Sequence, residues 1–191
     1  MRRPKFLHST IIAMAAGGIF FVLVVFGHCD TMNGPVVKDA RRALDQGNVM
    51  PVLKWVGPGD EEKMKSAFSA ALEERKRDPE GADMKFFEAL IRAHRESEGQ
   101  PYTGIKAQSE EPQVIVDGAE KAIETGSIDA IKEYVPKEDL SEIQNRLNQV
   151  VEKKKHADES VRAGRDFVDE YTNFLHSLQS LTSEAARRQR Q

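Results

Sequence analysis

The densest chemistry in the chain lies in three consecutive residues, His28-Cys29-Asp30, where the single cysteine stands between an imidazole and a carboxylate. A cut before His28 would leave a free α-amine, the imidazole and the Cys29 thiolate within two residues. With a deprotonated backbone amide, these groups can close small chelate rings around a transition ion. Thiolate and nitrogen donors in a planar arrangement suit Ni(II) or Cu(II), and softer copper states also accept sulfur. The amine titrates near ~7.7–8.0, so releasing its proton for coordination costs little. The chelate depends on that cut, because a peptide bond to Gly27 removes the amine. Asp30 joins as a weak ligand or serves as a turn cap.

Two further histidines come into question. His94 continues the apolar stripe of Phe87, Leu90 and Ile91 and is expected to point inward, with Glu98 one turn on along the same face. As a pair they can enter a metal shell, one as ligand and the other as ligand or orienter. The competing reading is a core histidine satisfied by Glu98 or by a carbonyl. His176 repeats the spacing, since Glu170 precedes it as Glu88 precedes His94. Helical phase places Leu175 at the matching position, so His176 is expected to face solvent. His156, among Lys153-Lys154-Lys155, reads as solvated, and His8 falls in the N-terminal apolar region.

One cysteine cannot form an internal disulfide, which leaves a metal ligand, an intermolecular link, a lipid site or an idle thiol. His28 immediately before Cys29 spoils a lipidation signal. Phosphate loops, dinucleotide fingerprints, serine-nucleophile elbows and paired-cysteine zinc motifs are absent from the sequence. No catalytic residue can be named.

The N-terminus carries Arg2, Arg3 and Lys5, followed by an uncharged apolar run from Ile11 to Gly27. A basic start, an apolar stretch and a small residue at the junction read as a secretory signal cut before His28. The same run also meets the lower length limit of a membrane anchor, ~17 residues. The expectation is export to the periplasm or outside the cell, or anchoring that faces outward. Removing residues 1–27 takes away three basic residues and no acid, so the formal charge moves from −3 to −6 (25 basic against 31 acidic). An acidic chain with interspersed signs argues against nucleic acid as a partner.

The rest reads as all-α. Asn33-Gly34-Pro35 opens a short helix that Gly47 closes. Val49–Val56 forms a second short piece. A longer helix begins after Gly57-Pro58-Gly59 with Asp60, Glu61 and Glu62 in its first turn and ends near Arg77. Another runs from about Ala82 to Glu98. After a linker at 107–111 the pattern returns, because Ala43–Val56 aligns without gaps to Ala122–Val135. That alignment implies a repeated short-short-long-long unit, repeat one at about 34–106 and repeat two at about 112–187, with four long helices forming a bundle under short lids. Trp55 and Tyr134, at equivalent positions, are expected to anchor the core.

The start His28-Cys29-Asp30 resembles the metal hook of nickel superoxide dismutase, a four-helix-bundle family whose mature chain opens with the same three residues. The family's second hook cysteine corresponds to Asn33 here, while Gly34 matches the glycine that follows. The resemblance implies nickel at the N-terminus, and the missing thiolate weighs against superoxide chemistry. Over most of the chain, His28 to Val37, Leu53-Lys54-Trp55-Val56, Phe86-Phe87-Glu88 and His94-Arg95 through Tyr102–Lys106 resemble an uncharacterised family of exported bacterial helical proteins. Three functions follow as expectations. The first is an exported protein that binds nickel or copper through His28 and Cys29, with Asp30 and His94 as further ligands. The second is a non-enzymatic structural or interaction module with a protein partner in the cell envelope. The third is a redox enzyme related to the nickel hook.

Overall fold

The computed structural model describes residues 28–107 and 114–188, with side chains as far as Leu181. The apolar run at 1–27 and most of the 107–111 linker lie outside the described residues. The all-α expectation holds. Among the described residues there are seven α-helices, four short 3-10 turns and one isolated bridge, Thr31 with Lys106. No described helix is long and apolar enough to cross a membrane.

Helix α1 (Pro35–Gln46) begins with proline in its first turn and ends at Gly47, whose φ of 63° directs its N–H back to the last carbonyls. Its buried face is Val36, Val37, Ala40, Ala43 and Leu44, the spacing of one helical stripe. Helix α2 (Met50–Leu53) is a single turn. Helix α3 (Glu61–Glu74) buries Met64, Phe68 and Ala71. Helix α4 (Pro79–Ser97) is capped by Asp78, which accepts from the Gly81 N–H at 3.0 Å, a cap worth ~1 kcal/mol.

The second half is α5 (Val114–Thr125), three 3-10 turns, α6 (Leu140–His156) and α7 (Val161–Arg188). The register seen in the sequence recurs in these elements. Val114 follows Pro35, and Leu140 follows Glu61, by the same offset, 79 residues (114 − 35 and 140 − 61). Gly126, with φ 71°, stands where Gly47 does. The halves diverge at Trp55 and Tyr134. Trp55 is buried, but Tyr134 is 43 % exposed, because 3-10 turns replace α2 and turn that side chain outward. The expectation that Tyr134 anchors the core is therefore corrected.

The long helices pack as two hairpins, α3 with α4 and α6 with α7, each over its own core. The first core holds Trp55, Met64, Phe68, Phe86, Phe87 and Leu90. The second holds Val116, Ile131, Ile143, Leu147, Phe174 and Leu178. Helix α7 joins them. Val161 and Val168 pack against the first core, and Phe174, Leu175 and Leu178 belong to the second. At 28 residues it spans ~42 Å, enough to serve both.

Candidate functional site

The His28–Thr31 turn is buried. The Thr31 N–H and hydroxyl both donate to the His28 carbonyl, at 3.2 and 3.0 Å. Gly34 donates to the Thr31 carbonyl at 2.9 Å. A Cβ on Gly34 would come within 2.2 Å of the His28 carbonyl oxygen, so only glycine allows the turn to close onto α1. The loop after α4 straps the turn down. Lys106 N–H donates to the Asp30 carbonyl at 2.9 Å, and Met32 N–H donates to the Lys106 carbonyl at 3.0 Å. Two of the four segments that carried the family resemblance therefore meet in space.

The side chains of the turn go two ways. His28 Nε2 lies 2.7 Å from Glu120 Oε1, which also accepts from Tyr171 at 3.5 Å, while Glu120 Oε2 accepts from Lys38 at 2.9 Å. Burial raises the Glu120 carboxyl, but the hydrogen bonds from His28 and Lys38 outweigh it and bring it from 4.5 to about 2. Nothing near Glu120 in the sequence announced this role, since its partner His28 is 92 residues away. The His28 imidazole is thus engaged across the two halves.

Cys29 and Asp30 face the end of α4. Burial pushes the Cys29 thiol far up, Glu98 and Asp30 push it further, and Arg95 opposes them. The sulfur is accordingly held as a thiol. Asp30 is 1 % exposed, and its Oδ2 stands 3.0 Å from Arg95 Nη2. Neither Asp30 oxygen accepts a hydrogen bond, and burial raises its carboxyl despite Arg95. His94 is 4 % exposed, and its Nδ1 lies 2.8 Å from the Trp55 carbonyl. A carbonyl only accepts, so Nδ1 carries a proton, and in the neutral ring Nε2 holds the lone pair. Nε2 has no hydrogen-bond partner and stands 3.4 Å from Glu98 Oε1. The inward orientation expected of His94 is found, together with both partners named for it, the carbonyl and Glu98.

His94 and Glu98 line a cavity of ≈ 630 Å³ between the end of α4, the turn after α2 and one face of α7. On the far side of Lys54 and Trp55 a second cavity of ≈ 280 Å³ opens between α1, α5 and α7, with Glu120 in its wall. Lys54 separates the two. Its ammonium is 2.8 Å from Asp39 and lies over the rings of Trp55 and Phe167 at 5.7 and 5.5 Å. His176 is on the exposed face of α7, as helical phase required. Among the described residues no three His, Cys, Asp or Glu side chains converge closely enough to hold an ion as they stand. The site is therefore a buried cluster of donors, Cys29, Asp30, His94 and Glu98, rather than a closed coordination shell.

Fold and site together define an all-helical protein of two linked hairpins, with a buried polar cluster where a short N-terminal turn meets α4. The chain belongs to a family of unknown function, DUF6448, which it matches over residues 33–177. The match takes in His94, Glu98 and His176 and begins just after the His28–Asp30 turn. No curated protein matches the chain, and no solved structure matches it.

Proposed function

We propose that this is an exported protein that binds one nickel or copper ion at the buried turn, with Cys29, His94 and Glu98 as the principal donors and Asp30 beside them. The observation that supports this reading is a set of unsatisfied buried atoms. Asp30 Oδ1 and His94 Nε2 lack hydrogen-bond partners, while Asp30 Oδ2 has only its ion pair with Arg95, in a place where buried polar groups ordinarily find partners or hold an ion. The 3.4 Å between His94 Nε2 and Glu98 Oε1 also suits coordination. Two neighbouring donors bound at ~2.1 Å stand roughly 3.0 Å apart in a planar shell and roughly 3.4 Å apart in a tetrahedral one, so the pair needs little movement to take up either. Relative to the N-terminal chelate read from the sequence, His28 moves from ligand to support, because Glu120 already holds its ring. A metal displaces the Cys29 proton on binding, so affinity should rise with pH.

Native mass spectrometry and calorimetry with Ni(II) and Cu(II) test this. One ion per chain is expected, with a thiolate-to-metal absorption band and a loss of at least tenfold in affinity on Cys29→Ser or His94→Ala. Unchanged affinity in Cys29→Ser would overturn the reading. One observation favours the alternative, an interaction module of the envelope. His28 bridges the halves through Glu120, and Cys29 packs with the first core, so the turn also makes sense as a staple. The same Cys29→Ser measurement separates the two.

A further inference from the structure

The ≈ 630 Å³ cavity is lined by His94 and Glu98, which the metal reading uses, and by a polar face of α7, which it does not. Helix α7 turns Val161 and Val168 to the first core and Tyr171, Phe174, Leu175 and Leu178 to the second, whereas Arg165, Asp169, Thr172 and Asn173 form a polar stripe about two turns long that lines this cavity. Arg165 is fixed by the Val56 carbonyl at 3.0 Å, the Leu53 carbonyl at 3.3 Å and Glu61 at 2.7 Å, and these bonds engage its Nε and one Nη, leaving Nη1. Lys54 also lines the cavity, with its ammonium paired to Asp39. The acceptors are Asp169, one turn along α7 from Arg165, and, from the end of α4, Glu98 and the buried His94 Nε2, which has no hydrogen-bond partner. No side-chain hydrogen bond or ion pair engages Asp169, Thr172 or Asn173 among the described residues.

We propose that this cavity binds a small zwitterion of the amino-acid type. Its carboxylate meets Arg165 Nη1, its ammonium meets Asp169, Glu98 and the lone pair of His94 Nε2, and Thr172 and Asn173, about one turn beyond Asp169, supply further hydrogen bonds. Three features select this class. The volume lies within the range of small-molecule sites, ~300–1,000 Å³. A guanidinium held rigid by two carbonyls and Glu61 keeps one fixed donor, Nη1, for a second carboxylate. A buried imidazole whose far nitrogen is tied to a carbonyl presents a fixed acceptor, which an ammonium satisfies and a second carboxylate does not. The inference does not need a bound ion, and its test is done without one.

Trp55, the only tryptophan, lines the cavity and meets the His94 ring edge-on at 5.7 Å, so its emission reports on occupancy. The full chain, stripped of metal with a chelator and dialysed, is titrated singly with each of the amino acids other than tryptophan and tyrosine, and with succinate as a dicarboxylate control. At least one amino acid is expected to shift Trp55 emission saturably and to raise Tm, with succinate inert. Asp169→Asn, an exposed change that removes no described bond, is expected to weaken that binding at least tenfold with helicity and ligand-free Tm unchanged. Thr172→Val provides a second variant within the same stripe and is expected to weaken it severalfold. No saturable shift by any amino acid up to 10 mM, succinate binding as well as the best amino acid, or full affinity in both variants would each overturn the proposal. Because His94 and Glu98 serve both readings, Cys29→Ser separates them: it is expected to weaken metal binding at least tenfold and leave this titration unchanged, while a negative titration leaves nickel and copper binding untouched.

Discussion

At the scale of single residues the outcome turns on where a side chain's second partner comes from. Glu120 sits on α5, yet its state is set by His28 and Lys38 from the other half. A carboxyl lowered from 4.5 to about 2 adds stability above its ordinary range, and that stability drains away as pH falls from about 4.5 toward 2. Glu120→Gln should therefore cost on the order of 2–3 kcal/mol near pH 7 and much less near pH 3. Urea denaturation of both proteins at the two pH values measures the difference, and an equal cost at both would remove the ionic part of the explanation. His94 shows the converse. Its burial was legible because the apolar stripe carried through it, and its carbonyl partner was among the options, whereas nothing local in the sequence named Trp55 as the supplier. Cys29 was legible as the one reactive group. That its sulfur would be protonated was not, because burial by a turn folded under α4 is a tertiary fact.

At the scale of elements, the crossing of α7 over the turn after α2 is a tight fit. A Cβ on Gly164 would come 2.8 Å from the Lys54 Cβ and 3.0 Å from the Ala157 carbonyl oxygen. Gly164→Ala should force α7 outward and destabilise the protein by ~1–3 kcal/mol, the usual cost of overpacking. Adding Lys54→Ala should not restore stability, because it leaves the Asp39 carboxylate with Trp55 and Arg42 but without its buried ammonium. Thermal denaturation of the single and double variants tests this, and full rescue by the double change would mean that Lys54 contributes only bulk. The elements themselves were largely readable. Proline and glycine punctuation bounded α1, the acidic first turn marked α3, and apolar stripes gave the long helices. Less readable was the replacement of α2 by 3-10 turns in the second half. Val52 and Ile131 are both buried, but Leu53 is buried where Lys132 is exposed, and the altered winding carries Tyr134 to the surface. A matched aromatic in an alignment does not guarantee a matched environment when the backbone beneath it changes period.

At the scale of the molecule, two cores share one long wall. The surface pair Arg42–Asp158 contributes little to joining them, since exposed pairs are worth ~0–1 kcal/mol. The stronger links are the burial of Val161 and Val168 against the first core and the Arg165 bonds to the Leu53 and Val56 carbonyls. Arg165→Ala should leave those carbonyls without their donor and loosen α7 from the first half at a cost of ~1–3 kcal/mol. In urea, the Trp55 emission transition of the variant should then precede the loss of helicity measured by circular dichroism, whereas the two coincide in the natural chain. Coincident transitions in the variant would show that the cores remain one cooperative unit without this link. Because α7 supplies a wall to both cavities, there is also an order in time. The first six helices can emerge and pair as a chain is made, but neither chamber is enclosed until the last helix arrives. A nascent chain, however well folded its first hairpin, has neither chamber walled in until α7 docks against both cores.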